Sequence, residues 1–443
     1  MTSDSVVRAS ATARRSALFV CIPLVGHCNP LIAQAKALRA RGFRVAIASF
    51  AELRAHVTAA GVSFVDLGPT PGGATAMSDV FERASAARSF FASSKLLLEW
   101  TLSLWTPLFD ALVAQMRVDR PSVLIADLMT SGAMDAAEAL DVRLVVNNAD
   151  LLPALSLGLL PVADDVPPLF WGRSRRSIGA KEKLAIAALR SIAVREATRT
   201  VGATLNQLRR SRGLSARDVH ARLAGTFVIT NSTFAIEYPR PLRASMVMLG
   251  PMLDRDEPRE LGELGDWLNR PEPVVYANLG TIVAPDRALL DRMNDAFARL
   301  SARVLWTLRP ALRERLRRPV ASNVRLVERV PSMRAVLAHE RVRAFVSHCG
   351  VNSAHESLWE GCPIVGLGVF ADQDDMAWRV EDAGVGVRLD SRKASAIEIA
   401  SAIERVMRDE SMRARAREVR ASFEAAGGAE MAALLIEQCA ARE

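Results

Sequence analysis

The chain has 443 residues, of which 50% are hydrophobic and 24% are charged. This composition is globular and excludes a disordered chain, and the length favours two or three domains over one. The net charge is +8, but 57 Lys and Arg are spread along the chain and largely offset by 49 Asp and Glu, with only 15 Phe and 2 Tyr. A nucleic-acid partner is therefore not expected. Transient contact with an anionic membrane surface stays open.

The apolar runs are short. The most apolar one, residues 151–160, has about half of the ~20 residues that a spanning helix needs, so no transmembrane segment is expected. Residues 1–16 are polar and run straight into ALFVCIPLV, which favours a disordered start, with a signal peptide as the alternative. The five cysteines show neither paired nor metal-ligand spacing. This pattern favours a reducing, cytoplasmic setting and predicts no metal site.

The first half of the chain alternates between strand and helix patterns. ALFVCIPL (17–24) predicts a buried strand, GHCN a loop, and the following residues a helix that Asn29 caps, Pro30 opens and Gly42 ends. Further strands are predicted at 43–49, 62–68, 121–127, 143–149 and 226–232. Such alternation is typical of a parallel, doubly wound sheet.

A polar, acidic stretch at 253–266 interrupts this pattern, which then restarts. Strands are predicted at 273–281 (with a Gly loop), 303–309, 323–330, 341–347 and 362–368. The predicted fold class is α/β, with two Rossmann-like doubly wound parallel-sheet domains facing a central cleft. The predicted segments are a disordered N-terminus at 1–16, a first domain at 17–240, a linker at 241–266, a second domain at 267–425, and a C-terminal helix at 426–443 that packs back on the first domain. Ligands are expected at the carboxyl ends of the strands, facing the cleft.

Polar groups concentrate in residues 342–373, VRAFVSHCGVNSAHESLWEGCPIVGLGVFADQ. A buried strand is followed by His348, which can donate to a phosphate oxygen, and by Gly350, which permits close backbone approach. Asn352 and Ser353 lie where a helix begins. The free N–H groups and the dipole of a helix start favour an anion. The stretch therefore predicts a diphosphate site that needs no metal.

Three more groups extend this site toward a nucleotide sugar. Glu356 lies one helical turn past Asn352, where a carboxylate can accept from ribose hydroxyls. Asp372 and Gln373 follow an apolar strand and a loop, and a carboxylate beside an amide suits sugar hydroxyls. Taken singly, each group is usually a helix cap or a surface residue. Their order and spacing in one short stretch favour the functional interpretation.

This order resembles the donor-binding signature of the family 1 nucleotide-sugar glycosyltransferases, UDP-glycosyltransferase-like enzymes that include bacterial macrolide and natural-product types. That signature is His-x-Gly-x-Asn-Ser-x-x-Glu, followed by Gly-x-Pro and Asp-Gln. The matching residues are His348, Gly350, Asn352, Ser353, Glu356, Gly361, Pro363, Asp372 and Gln373. The resemblance implies the GT-B fold, a first domain that binds the acceptor and a second that binds the donor. It implies an inverting transfer without metal or cofactor, and it places Gly280 and Thr281 near the diphosphate.

The chain departs from that family where the nucleotide base would bind. The family motif opens with a Trp that stacks on the base, and counting along the motif puts Val330 there, with Met333 as a second base contact. If Pro331 is instead the family's Pro, shifted by one residue, Arg329 takes the Trp position. No indole stacks on the base in either register. Uracil is the expected base, with thymine next.

A candidate catalytic pair lies in the first half. His27 follows the first strand, and Asp127 ends another strand at the same carboxyl edge. Imidazole has the pKa that a general base needs, and a buried carboxylate behind it would fix its tautomer. The resembled family uses a His in a Gly-His-x-x-Pro setting as base with an Asp partner, and residues 26–30 fit that setting. The alternatives are that His27 only closes the loop and that Asp127 only caps the next helix.

The acceptor would be bound by two apolar stretches of the first domain, 90–105 and 151–171. The candidate contacts are Phe90, Phe91, Trp100, Leu152 and Phe170. Their apolar character suits a hydrophobic small molecule, and the alternative is that they form core.

The resemblance then implies transfer of a hexose, glucose by expectation, from a UDP-sugar or next a dTDP-sugar. The acceptor would be a hydroxyl of a hydrophobic secondary metabolite such as an antibiotic, and the enzyme a monomer or homodimer. Two alternatives remain: a nucleotide-sugar 2-epimerase-like enzyme and a non-catalytic helper protein with the same fold.

Overall fold

The computed structural model describes residues 15–87, 89–152, 166–169, 171–218 and 223–441. Each half of the chain forms one fully parallel sheet with helices on its faces, so the predicted α/β class with two doubly wound domains is confirmed. Most of the predicted N-terminal disordered segment lies outside the described residues, but Ser16 opens the first strand.

The first sheet has seven strands in the order β3-β2-β1-β4-β5-β6-β7. They are β1 (Ser16–Val20), β2 (Arg44–Ser49), β3 (Ser63–Asp66), β4 (Val123–Asp127), β5 (Leu144–Asn148), β6 (Phe227–Thr230) and β7 (Met246–Met248). Every residue of β1 and β4 is buried, because helices cover both faces of the sheet. The strand order reverses between these two strands, which makes their carboxyl ends the switch point where ligands bind in such sheets.

Among the described residues, eight α-helices lie between β1 and β7 in the chain. They are α1 (Val25–Ala40), α2 (Arg54–Ala59), α3 (Gly73–Ala86), α4 (Phe90–Ser103), α5 (Trp105–Val118), α6 (Ser131–Ala139), α7 (Ala180–Ala197) and α8 (Ala203–Arg210). The predicted start of α1 at Asn29 and Pro30 was wrong. The helix begins at Val25, five residues before Pro30, which lies inside it. Leu24 precedes the helix without a side-chain cap, so no capping signal marked the true start.

The second sheet has six strands in the order β10-β9-β8-β11-β12-β13. They are β8 (Val274–Asn278), β9 (Arg303–Thr307), β10 (Val324–Val327), β11 (Val342–Ser347), β12 (Ile364–Gly366) and β13 (Gly386–Arg388). The remaining helices are α9 (Glu263–Leu268), α10 (Arg287–Phe297), α11 (Pro310–Arg313), α12 (Met333–Ala338), α13 (Val351–Trp359), α14 (Gln373–Asp382), α15 (Ala396–Arg408), α16 (Glu410–Ala426) and α17 (Gly428–Ala441). The switch point of this sheet lies between β8 and β11.

Two segments near the domain boundary join the first domain. Strand β7, which lies inside the stretch predicted as linker, is one of the two edge strands of the first sheet. Helix α17 packs its buried Ala432 and Ile436 into the core that contains Cys28 and Leu31 of α1. The chain therefore passes through the second domain and returns to the first.

One helical stretch, Ala92–Val118, is long and apolar enough to pass as a membrane span by length and composition alone. Buried core helices pass the same test. Trp105, Leu108 and Leu112 of this stretch are at most 1% exposed and lie in the core of the first domain.

Candidate active site

The first turn of α1 and the end of β4 bring His27 and Asp127 together, as the sequence predicts, although His27 lies inside the helix and not in the predicted loop before it. His27 Nδ1 lies 3.0 Å from Asp127 Oδ2, with the imidazole 17% exposed and the carboxylate fully buried. The other carboxylate oxygen, Oδ1, accepts from the N–H of Met129 at 2.9 Å. Because both oxygens are held, the carboxylate orients the ring with Nδ1 as the donor and leaves Nε2 for the cleft.

Two more carboxylates act on His27. Burial alone would lower its pKa, but Asp127, Asp150 and Asp372 outweigh that effect and raise the pKa to about 9. Burial raises the pKa of Asp150 to about 6, and burial together with Asp150 raises that of Asp372 to about 7. His27 is therefore an imidazolium at neutral pH in the unliganded site, held in a field of carboxylates from both domains.

Asp150 was missed at the sequence level. Its Oδ2 is buried and has no hydrogen-bond partner among the described residues. The available signal was its place two residues after β5, at the same sheet edge as Asp127. The carboxyl ends of parallel strands meet there, so a polar residue just past a neighbouring strand is a candidate site residue.

A hydrogen bond across the cleft joins the first turn of α1 to the second domain. Asn352 Nδ2 donates to the carbonyl oxygen of Gly26 at 2.5 Å. In a regular helix that carbonyl would accept from the N–H four residues later, but the residue there is Pro30, which has none. Proline inside α1 therefore frees the Gly26 carbonyl for Asn352.

His348 lies at the switch point of the second sheet, wedged between two glycines. A Cβ at Gly280, whose φ is 81°, would lie 2.7 Å from the ring, and one at Gly350 would lie 2.6 Å from Nε2. Both contacts are too close for any side chain. Burial lowers the pKa of His348 to about 4, so the ring is neutral at pH 7 and can donate one N–H.

Backbone strain is found in the turn that carries the predicted diphosphate contacts and directly before the predicted sugar contacts. Cys349 has a φ of 59° and Ala371 has a φ of 52°, in the left-handed region that residues other than glycine rarely occupy. Cys349 turns the chain from β11 into α13, and Ala371 precedes Asp372. Such outliers persist where the surroundings over-determine the backbone, which often marks a functional loop.

The remaining predicted donor contacts lie on α13 and in the loop after β8. Ser353 is half-buried in the first turn of α13, and Thr281 is exposed in the loop after β8. Burial and the nearby Glu257 raise the pKa of Glu356 to about 8 against the opposing effect of Arg334. Glu356 is therefore largely protonated at pH 7 and could donate to a ribose hydroxyl as well as accept from one.

The predicted base contacts, Val330 and Met333, are partly buried against the hydrophobic core of the second domain. Asn278 Nδ2 lies 3.7 Å from the Met333 sulfur. Arg329, the alternative at the Trp position, is exposed. The structure therefore presents either an apolar or a guanidinium surface where the family would present an indole.

Gln373 has a structural task in addition to the predicted one. Its Oε1 accepts from the N–H groups of Val369 and Phe370 at 3.0 and 3.3 Å, and the residue is 4% exposed. The amide therefore shapes the loop that presents Asp372, and only its NH₂ group is left for a sugar hydroxyl.

The structure provides less evidence about the predicted acceptor contacts than about the predicted donor contacts. Trp100 is 7% exposed and packs edge to face on Phe81, and Leu152 is fully buried. In this structure both lie in packed surroundings rather than on an open surface. The side chains of Phe90 and Phe91, and all of Phe170, lie outside the described residues. Acceptor contacts by these five residues stay predictions.

Residues 214–420 match the family model described as UDP-glucoronosyl and UDP-glucosyl transferase. UDP-glucuronosyltransferase 3A1 of Mus musculus is 34% identical over 170 residues, which are 37% of this chain and 32% of that protein. The 2-hydroxyacylsphingosine 1-beta-galactosyltransferase of Homo sapiens is 28% identical over 188 residues, 42% of this chain and 34% of that protein. The chain thus aligns with about a third of the length of these relatives.

Solved structures match over almost the whole chain. The glycotransferase of kitacinnamycin superposes with a TM-score of 0.73 at 19% identity, over 96% of this chain and 99% of that one. The calicheamicin glycosyltransferase CalG4 gives 0.69 at 20%, over 97% and 99%. The spinosyn forosaminyltransferase SpnP gives 0.68 at 19%, over 97% and 100%. The chain has the GT-B fold throughout, and within it residues 214–420 are similar to the UDP-glucoronosyl and UDP-glucosyl transferase family.

Proposed function

We propose that this protein is an inverting, metal-independent glycosyltransferase. It moves a hexose, glucose in the simplest case, from a UDP-sugar, or as second choice a dTDP-sugar, to a hydroxyl of a hydrophobic natural product. The observation that carries the proposal is the His27–Asp127 pair, joined across the cleft to the start of α13 by the hydrogen bond from Asn352 to Gly26.

The donor's diphosphate would bind at the start of α13. The helix offers free N–H groups and a positive dipole end there, and neutral His348 and the hydroxyls of Ser353 and Thr281 add donors. Asn352 would donate to a phosphate oxygen or keep the Gly26 carbonyl. As the leaving diphosphate gains charge, these preorganised donors stabilise it, usually the largest contribution in such reactions.

His27 would act as the base. Nε2 accepts the proton of the acceptor hydroxyl while its oxygen attacks the anomeric carbon from the face opposite the diphosphate. The carbon–oxygen bond to the diphosphate breaks, UDP leaves with the electron pair, and the configuration inverts. Asp127 stabilises the imidazolium that forms. Because the pKa of His27 is about 9 in the unliganded site, only a minor neutral fraction can accept the proton at pH 7.

The names of the relatives support both donor choices. The curated relatives include UDP-glucuronosyltransferases, and one structural neighbour, the glycosyltransferase VinC, was solved in complex with dTDP. The apolar residues around the acceptor side and the natural-product titles of the structural neighbours support a hydrophobic acceptor.

One observation keeps a second candidate in view. A nucleotide-sugar 2-epimerase-like enzyme needs carboxylates in the cleft, and Asp150 and Asp372 supply them beside His27. The two reactions differ in their need for an acceptor, because only transfer joins the sugar to a second molecule.

A donor screen tests the proposal. UDP- and dTDP-hexoses are incubated with phenolic, terpenoid and polyketide alcohols in the presence of EDTA, and both free nucleoside diphosphate and glycosylated product are measured. The matched variants are His27→Ala and His339→Ala, because His339 ends α12 and its ring nitrogens pair with Asn269 Oδ1 and the N–H of Arg341, neither of them a predicted site residue. Acceptor-dependent product that is lost only in His27→Ala supports transfer. An isomerised sugar without acceptor supports the epimerase, and no reaction of any donor contradicts both.

A further inference from the structure

Helix α14 reaches from the predicted sugar site back to the first domain. Asp372 is its N-cap and Gln373 its first residue. Less than two turns later, Arg379 Nε donates to Glu237 Oε2 at 2.8 Å, and the two side chains are 2% and 1% exposed. Glu237 lies between β6 and β7, so this buried ion pair crosses from the second domain to the first.

The other oxygen of Glu237 holds the acceptor side. Glu237 Oε1 accepts from the N–H of Leu152 at 2.8 Å. Leu152 stands at the beginning of the apolar stretch predicted to meet the acceptor. One carboxylate therefore binds both the backbone of that stretch and the guanidinium of the helix that carries the sugar contacts.

Neighbouring contacts leave the guanidinium little freedom. Arg379 Nη1 donates to the carbonyl of Asp375, and the guanidinium lies 4.4 Å over the ring of Tyr238. The hydroxyl of Tyr238 in turn donates to Asp382 at the end of the same helix, at 2.6 Å. The fork of Arg379 is thus fixed to both domains.

Hydrophobic packing joins the same two parts of the molecule. Leu151 and Ile236, both from the first domain, lie in the hydrophobic core of the second, in the cluster that includes Met376 and Val380 of α14. Buried ion pairs add little net stability, yet neither partner can be left alone without a large desolvation cost. A shift of α14 must therefore move Glu237, and with it the backbone at Leu152.

We propose that Glu237 and Arg379 are a positioning pair that couples occupation of the sugar site at Asp372 and Gln373 to the acceptor-side backbone at Leu152. This inference rests on the proposed function, because it needs a nucleotide sugar as the ligand. Binding of the sugar moiety, which the diphosphate alone cannot replace, fixes the backbone at Leu152 before the acceptor arrives.

Hydrogen–deuterium exchange tests the coupling with UDP and UDP-glucose as probes. In the wild-type protein, UDP-glucose slows exchange in peptides that cover residues 373–382 and Leu152, and UDP alone does not. We expect the slowing at Leu152 to be at least about fivefold. The double variant Glu237→Met/Arg379→Met removes both charges and leaves no lone buried ion. In this variant UDP-glucose still slows exchange in 373–382, while Leu152 no longer responds.

A matched control breaks an ion pair between α14 and β13, which both belong to the second domain. Arg388 Nε donates to Asp374 Oδ1 at 2.8 Å, and the variant Asp374→Asn/Arg388→Met should keep the response at Leu152. A response at Leu152 that survives in the Glu237/Arg379 variant overturns the coupling. If UDP-glucose and UDP give the same pattern in the wild-type protein, the proposed donor is wrong and the coupling with it.

Discussion

Two histidines occupy the switch points of the two sheets, and their surroundings give them opposite properties. His27 follows β1 of the first sheet, and carboxylates raise its pKa to about 9. His348 follows β11 of the second, and burial lowers its pKa to about 4. The same residue type at the same kind of sheet edge is thus a charged group in one domain and a neutral one in the other.

The difference lies in what each ring touches. His27 hydrogen-bonds to Asp127 and lies in the field of two more carboxylates, so it attracts a proton. His348 is held between the backbones of Gly280 and Gly350. A strongly basic ring suits removal of a proton from an acceptor. A neutral donor beside a helix start suits a diphosphate.

The largest expected effect is the loss of the proposed base. His27→Ala should lower kcat/KM by about 10²–10⁴-fold, the usual contribution of a general base, while the affinity for UDP stays unchanged because the diphosphate contacts are intact. Steady-state kinetics with calorimetric titration of UDP checks this. A variant that loses UDP affinity and turnover together would place His27 in donor binding and break the contrast with His348.

Removing the carboxylate should change both the rate and its pH dependence. Asp127→Asn should reduce kcat by about 10²-fold because the amide orients and stabilises the imidazolium less well. In the wild-type protein kcat/KM should rise with pH toward a midpoint near 9, since only neutral His27 accepts a proton. The variant loses a negative charge that favours the imidazolium, so its midpoint should move to lower pH. A profile unchanged by the substitution would show that another group titrates.

Filling the space beside His348 should affect donor binding alone. Gly350→Ala places a Cβ 2.6 Å from His348 Nε2 and must displace the ring. We expect the Kd for UDP to rise about tenfold, since overpacking typically costs ~1–3 kcal/mol. Gly265→Ala is the control, because its Cβ would meet only an ordinary contact at 3.6 Å. Equal UDP affinity in the two variants would remove His348 from the diphosphate site.

The smallest effect concerns Glu356, whose folded-state pKa of about 8 exceeds the ordinary value of 4.5. Such a group contributes stability below the unfolded pKa, and that stability is lost as pH rises through the folded pKa. Glu356→Gln should therefore raise the Tm of the unliganded protein at pH 8–9 by about 1–2 °C and leave it nearly unchanged at pH 4. Differential scanning calorimetry at both pH values checks this. An equal change at both would mean that ionisation of Glu356 is not involved.

Short-range features of both domains were predictable from the sequence. The alternation of strands and helices, and the spacing of residues in 342–373, depend on neighbours along the chain, so the α/β class and the turn from β11 into α13 followed from pattern alone. The pairing of His27 with Asp127 also followed, because both lie at one sheet edge. Three features did not follow in this way. Asp150 was overlooked although it lies at that edge, β7 is only three residues long, and the start of α1 has no side-chain cap.

The hydrogen bond across the cleft was predictable from the sequence only in part. Asn352 and Pro30 were each noticed for a local reason, one as a helix-start donor and the other as a helix opener. Their joint effect, in which the proline frees the Gly26 carbonyl for the asparagine, requires two domains to meet over 326 positions of sequence. Neither periodicity nor motif spacing contains that information.

The most direct test of the central claim compares UDP affinity with sugar transfer from UDP-glucose in His27→Ala and His348→Ala, on an acceptor that the screen identifies. We expect His27→Ala to bind UDP as the wild-type protein does, yet to transfer sugar at no more than about 1% of the wild-type rate. We expect His348→Ala to bind UDP more weakly. Full transfer activity in His27→Ala, or unchanged UDP affinity in His348→Ala, would contradict the division of labour between the two histidines.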